Sequence, residues 1–420
     1  MSSWSLITRP SMPAVCLTLG ALGISLGLAA VPLVRVRRSP TTRPRLCIKS
    51  PRETLLPTLS EEEIAALAYP PDLLPGGRDV ETPYGFVKVF EWGPDDGEKV
   101  LLLHGLSTPC LSLAALAEAL VAQGCRVMLF DFFGRGYSDT PTDLPYDIRL
   151  YTSQILLVLA SSHLSWTGDS AFHLIGYSLG GGIAVPFTRH FPHMVTSLVL
   201  IAGGGLVRPE HISWQSKVLY STGIFPEWVL EAIVRRRLAP VAARRAGGAV
   251  MNEQQMARGV VAAKKGQQQQ KQKLNHDSSG GDSYDNAIVS TRRPGLTVSA
   301  VMDWQVRHQR GFVHAFMSSI RHAPIYEQRE DWSALGGLLA ARREISSPPG
   351  LLGGVVLLVL GQTDPVIIKE ELIHDATEVL GEEAFEAVCL DAGHELVMTD
   401  GTRIARVVRR FWEETGAVGL

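Results

Sequence analysis

Short apolar runs separated by polar or amphipathic stretches recur along most of this chain. Residues 86–92, 99–103, 126–131, 172–175 and 196–202 are each of strand length. Between them, 111–123 and 147–163 place apolar residues at helical spacing. Runs this short that stay apolar throughout suit strands buried on both faces. Strand and helix in alternation predict an α/β fold, with a mostly parallel central sheet and helices on both faces. The pattern stops near residue 205 and resumes with apolar runs at 355–360 and 384–390.

The interruption over 205–347 has its own pattern. Within 212–238, Trp214, Leu219, Phe225, Trp228, Val229 and Ile233 recur at spacings that suit amphipathic helices, and 304–320 reads as one further helix. Those aromatic residues serve either to pack the insertion on the body or to line an apolar pocket. Residues 264–286 contain Gln267 to Gln270 and Ser278-Ser279-Gly280-Gly281 with almost no aliphatic side chains. Such a composition cannot bury a core and predicts a disordered surface loop.

The N-terminal part reads differently. Residues 14–34 are 21 positions without a charge, long enough to cross a bilayer as a helix. Arg35, Arg37, Arg38, Arg43 and Arg45 follow the run and only Arg9 precedes it. Residues 1–38 therefore read as a single-pass membrane anchor with a basic flank, the body of the chain facing the cytosol. A mitochondrial targeting sequence and a cleaved secretory signal remain open. Residues 39–83, rich in Pro, Ser and Thr, read as a tether with one short helix over 60–69, where Ser60 and Glu63 form a capping box. The body then divides into 84–204 and 348–420 around the insertion.

Charge and cysteine narrow the classes. The net charge of −2 combines +8 in residues 1–52, from seven Arg and one Lys, with −10 in the rest. A mildly acidic body without a basic, aromatic-laced stripe gives no support for a nucleic-acid partner. Cys16, Cys47, Cys110, Cys125 and Cys389 are an odd, scattered set, and they suggest neither a disulfide framework nor a metal site. Nothing in the chain calls for a metal or an organic cofactor, and the oligomeric state is not legible.

Chemistry concentrates at the ends of the apolar runs. Ser178 lies in Gly176-Tyr177-Ser178-Leu179-Gly180, after the run at 172–175 and before a helix-like stretch. A sharp strand-to-helix turn would expose its hydroxyl as a nucleophile and leave no room for side chains two positions to either side. A serine hydroxyl needs a base to take its proton and an acid to orient that base. The run at 355–360 ends in Gly361-Gln362-Thr363-Asp364-Pro365 and that at 384–390 in Asp391-Ala392-Gly393-His394. Asp364 is the candidate acid, although by itself it would also serve as a helix cap. His394 is the candidate base, and Asp391 is a rival acid on the same turn. For the oxyanion, the backbone amides of Leu106, after the run at 99–103, and Leu179 are the candidates. His104 reads as a structural loop histidine.

Taken together, His104-Gly105, the stretch from Asp131 to Ser138, Gly176-Tyr177-Ser178-Leu179-Gly180-Gly181, Asp364 and His394 resemble the α/β-hydrolase superfamily. Within it the pattern is similar to serine hydrolases that include monoacylglycerol lipases and small esterases. The resemblance covers roughly residues 84–415, with the middle third poorly matched. It implies an α/β-hydrolase fold in which 205–347 forms a helical cap over Ser178, and a loop at 131–138 without catalytic duty. The serine argues against the dehalogenases and epoxide hydrolases of this fold, whose nucleophile is an aspartate. The implied activity is hydrolysis of carboxylic esters, lipid-derived if the anchor and cap are a guide, by a Ser178, Asp364 and His394 triad without a cofactor. Thioesterase or acyltransferase chemistry on the same triad, and a non-catalytic binding protein of this fold, are the competing readings.

Overall fold

Ten strands and the helices between them carry the architecture of the computed structural model, which describes residues 47–169, 171–212, 214–223, 225–238, 280–290, 292–344 and 349–417. All of these fall in one unit, Leu46–Leu420. The anchor expected over 14–34 lies outside the described residues, as do 264–279 of the expected loop. Among the described residues no helix is long and apolar enough to cross a membrane.

The strands are β1 (Cys47–Ile48), β2 (Gly77–Thr82), β3 (Gly85–Trp92), β4 (Lys99–Leu103), β5 (Arg126–Phe130), β6 (Thr140–Pro141), β7 (Phe172–Tyr177), β8 (Val195–Ile201), β9 (Val356–Gly361) and β10 (Phe385–Leu390). Eight of them form one sheet in the order β10-β9-β8-β7-β4-β5-β3-β2, and β1 pairs with β6 apart from it. Every pair from β10 to β5 is parallel, whereas β5 with β3 and β3 with β2 are antiparallel. Strands β5, β7, β8 and β9 are buried at every position, which matches a sequence that is apolar throughout in β9 and mostly apolar in the others, where Arg126, His173, Thr196 and Ser197 are the buried polar exceptions. The edge strand β2, Gly-Arg-Asp-Val-Glu-Thr, alternates between half-buried and exposed positions instead, so a polar sequence suffices there.

The helices that matter to the site are α1 (Ala114–Val121), α2 (Ile148–Ala160), α3 (Leu179–His190), α4 (Trp214–Leu219), α5 (Glu227–Leu238), α6 (Gly281–Asn286), α7 (Val298–His308), α8 (Phe312–His322), α9 (Arg329–Glu344), α10 (Lys369–Leu380) and α11 (Gly401–Glu414). Helix α2 starts where Asp147 accepts hydrogen bonds from the amides of Arg149 and Leu150, satisfying donors that the first turn leaves free.

Four expectations need correction. The tether expected at 39–83 docks on the body over its described part. Tyr69, Leu73 and Leu74 are buried, the Ser50 amide donates to Asp139 at 2.9 Å, and residues 77–82 are strand β2. Its Pro and Ser content concealed these few apolar anchors, although the Ser60–Glu63 capping box is present. The helix expected over 304–320 is two, α7 and α8, broken at Gln309 and Gly311. A Cβ on Gly311 would lie 2.1 Å from Thr140 Oγ1, so close approach to the body interrupts the helical run. Residues 281–286, expected to be disordered, form α6, because Tyr284 buries its ring. Finally, α9, placed by sequence in the insertion, packs on α3 and α10 through buried Trp332, Leu335 and Leu339. The other described helices of the insertion are α4 to α8.

Candidate active site

The turn between β7 and α3 sets the geometry. Ser178 adopts φ +52° and ψ −117°, a strained conformation for a residue with a side chain. Its carbonyl accepts from the amides of Gly181, Gly182 and Gly204 at 2.9, 3.2 and 2.8 Å, which over-determines the turn. A Cβ on Gly176 would sit 2.4 Å from the Gly180 oxygen, and one on Gly180 would sit 2.2 Å from the Leu103 oxygen. Only glycine fits at either place, as the sequence pattern led us to expect.

Two strand-end loops converge on that serine. After β9, Asp364 Oδ1 accepts from the amides of Val366 and Ile367 at 2.8 and 2.9 Å, so this residue does cap the following turn. Its other oxygen, Oδ2, lies 2.8 Å from His394 Nδ1. His394, in the loop after β10, places Nε2 3.1 Å from Ser178 Oγ. The carboxylate is fully buried, the imidazole is 7% exposed, and Ser178 is half-buried. The rival acid, Asp391, is exposed.

These distances define one hydrogen-bonded chain. With Asp364 ionised and accepting from Nδ1–H, Nε2 carries the lone pair and accepts from the serine hydroxyl. Proton transfer from Oγ to Nε2 would create an imidazolium whose charge faces a buried carboxylate.

The loop after β4 adjoins the same serine, since a Cβ on Gly105 would lie 3.4 Å from Ser178 Cβ. Leu106 lies in it, and Leu179 is the first residue of α3, where backbone N–H groups lack intrahelical acceptors. Among the described residues neither amide donates to a turn or loop carbonyl. The loop is held from behind. Fully buried Arg135 donates from Nε to the Leu106 carbonyl at 3.2 Å and from Nη2 to Ser319 Oγ at 2.9 Å. Gln305, on α7, donates to the Ser107 carbonyl at 2.8 Å and accepts from the Gly136 amide at 3.1 Å. His104 is structural: Nδ1 donates to the Gly105 carbonyl and Nε2 accepts from the Phe132 amide. Burial, aided by the charge of Arg135, lowers its pKa to about 3, so the ring stays neutral.

Several residues around the base were not singled out in the sequence. Tyr177 donates to the His394 carbonyl at 2.8 Å. Tyr284 of α6 lies with its ring 5.7 Å from the imidazole and its hydroxyl 2.9 Å from Ser107 Oγ. Tyr177 adjoins the nucleophile and was legible in principle. For Gln305 and Tyr284 there was no signal, because their partners lie more than 150 residues away in the chain.

A family model described as the alpha/beta hydrolase fold matches residues 99–401 of this chain. An uncharacterized protein of Mycobacterium tuberculosis is 28% identical over 144 residues, which is 34% of this chain and 39% of that protein. A serine hydrolase-like protein of Danio rerio is 32% identical over 129 residues, 30% of this chain and 38% of that protein. Both alignments thus span well under half of the relative's own length. A solved structure of a membrane phospholipase A, described as a bacterial virulence factor, superposes with a TM-score of 0.52 over 95% of this chain and 99% of that one. At 17% identity this is a likeness of fold.

Proposed function

The chain belongs to the alpha/beta hydrolase fold family, and from that premise we propose that it is a serine hydrolase of carboxylic esters acting through Ser178, His394 and Asp364. The observation that carries this reading is the unbroken relay from Ser178 Oγ to His394 Nε2, 3.1 Å, and from Nδ1 to Asp364, 2.8 Å. Ser178 Oγ attacks the ester carbonyl carbon while Nε2 accepts its proton. The tetrahedral oxyanion is stabilised by the amides of Leu106 and Leu179. Collapse breaks the bond to the alcohol oxygen, which takes the proton from the imidazolium and leaves. Water, deprotonated by His394, then attacks the acyl-enzyme and releases the acid. Asp364 stays ionised throughout and stabilises the positive ring.

The substrate we propose is lipid-derived, an acylglycerol or a similar long-chain ester. Two features support this: the apolar sequence over 14–34, flanked by arginines, would hold the enzyme at a membrane, with the body on the cytosolic side. Tyr284 of the insertion also sets an aromatic ring 5.7 Å from the His394 imidazole, an apolar wall suited to an acyl chain. Turnover of the membrane-associated protein on monoacylglycerols, acyl thioesters and short water-soluble esters tests the assignment. A higher kcat/KM on the monoacylglycerols is the expected result. Preference for thioesters would replace the substrate class, and failure on all three would overturn the reading. Adding a competing alcohol and weighing the products separates hydrolysis from acyl transfer.

A further inference from the structure

Helices α4 and α5 of the cap carry a surface that the proposed chemistry does not use. Trp214 and Trp228 leave 70% and 72% of their area open, and Phe225 and Ile233 leave 49% each. Elsewhere the same chain buries Trp166, Trp332 and Trp412 completely. Trp214, Phe225 and Ile233, with Val218 and half-buried Val229, line a groove of about 300 Å³, and Trp228 precedes Val229 on α5 outside that lining. Apolar surface left in water forgoes roughly 25 cal/mol for each Å² uncovered, so clustered open aromatic residues of this kind are candidates for an interaction surface.

The charge beside the groove selects the occupant. Lys217, Arg235 and Arg236 are exposed on the same two helices. The acids of α5 are engaged by α8: Arg321 holds Glu227 at 2.7 Å, and His314 lies 3.5 Å from Glu231. Glu227 stays exposed but is offset by Arg321, which leaves the exposed charge of the two helices net cationic. The chain that continues from α5, residues 239–279, carries seven Lys or Arg against two Asp or Glu, so its charge has the wrong sign to complement this face. A second copy would bring cation against cation. An anionic bilayer offers both complements, with hydrocarbon for the rings and phosphate for the guanidinium groups. Indoles beside basic residues favour that interface.

We propose that the α4–α5 face of the cap docks on an anionic phospholipid leaflet, with Trp214, Phe225 and Trp228 seated at the headgroup level. The contact lies close to the site: Arg235 Nη1 donates to the Val306 carbonyl at 2.5 Å, and the neighbouring Gln305 holds the Ser107 carbonyl. The docking is independent of ester cleavage and goes beyond it.

The test uses the full chain on phosphatidylcholine vesicles with and without phosphatidylserine, with bromine on the acyl chains as a quencher of tryptophan emission. Wild type is compared with W214F/W228F, which keeps the apolar character and removes the two reporters, after matched thermal unfolding shows that both fold. The readout is local, so it does not depend on what else holds the protein to the vesicle. On phosphatidylserine vesicles the wild type should be quenched and the variant should lose most of that quenching. K217E/R236E should lose it as well. Equal fractional quenching of wild type and W214F/W228F would overturn the proposal. So would dimerisation that the double variant abolishes, which would assign the face to a second copy. Quenching that persists undiminished on pure phosphatidylcholine would overturn the anionic selection. None of these readings involves turnover, so their failure is distinct from failure of the hydrolase assignment.

Discussion

Tyr177, the residue before Ser178, donates its hydroxyl to the backbone carbonyl of His394 at 2.8 Å. The end of strand β7 therefore carries the candidate nucleophile and also pins the loop that carries the candidate base. Its ring, 5.3 Å from the imidazole, adds a packing contact on the same loop.

Tyr177→Phe keeps the ring and removes only the hydrogen bond. The His394 carbonyl would then lack this donor, a loss of about 1 kcal/mol in stability. A less fixed imidazole should lower kcat on an ester on the order of tenfold. Ester turnover and thermal unfolding measured on the same preparation check both numbers.

Asp364 has two separable duties. An asparagine can still accept the Val366 and Ile367 amides through its oxygen, but its NH₂ would face Nδ1 of His394. That arrangement favours the tautomer with the proton on Nε2, which cannot accept from Ser178. Asp364→Asn should therefore lower kcat by about 10⁴-fold while leaving the melting temperature nearly unchanged. A comparable loss of folding would show that the residue is mainly a cap.

Gln305→Ala removes both hydrogen bonds that join α7 to the Ser107 carbonyl and the Gly136 amide. Leaving these groups unpaired at a buried junction costs about 2 kcal/mol. Denaturant unfolding should show that loss, and kcat should fall with KM little changed, because the loop that bears Leu106 loses its brace.

Stability should depend on pH through buried histidines. His173 stacks on Trp412 with 3.9 Å between ring centres and bonds Ser197 Oγ at 2.8 Å. Burial, with a smaller contribution from Arg409, lowers its pKa from 6.5 to about 3. The unfolded chain binds the proton more readily, so this contribution is fully present above pH 6.5 and is lost as pH falls toward 3. Each such group adds a slope of up to about 1.4 kcal/mol per pH unit. His104 contributes with the same sign. Asp131, whose pKa burial raises, acts in the opposite sense, but equally in wild type and variant. Unfolding of His173→Gln across the acid range should show a slope shallower than wild type by roughly that amount.

The central strands were legible because burial on both faces favours mainly apolar runs, and β4, β5, β7, β8 and β9 carry them. That Ser178, Asp364 and His394 meet was legible because each closes a strand of a parallel sheet, whose strand ends gather at one edge. The docking of 47–83 was not, because three or four apolar residues in a Pro- and Ser-rich stretch suffice to hold it. Gln305 and Tyr284 escaped notice for a different reason. Cap and body approach each other only in the folded chain, and a glutamine or tyrosine in an insertion shows no trace of its distant partner.

The central claim is that Ser178 is an activated nucleophile. Labelling of the full-length protein by a fluorophosphonate, with the modified peptide located by mass spectrometry, tests it most directly. Wild type should carry the phosphonyl group on Ser178, and both Ser178→Ala and His394→Ala should lose it. Labelling that persists at another residue in Ser178→Ala, or a folded wild type that stays unlabelled even with the cap loop trimmed, would contradict the account.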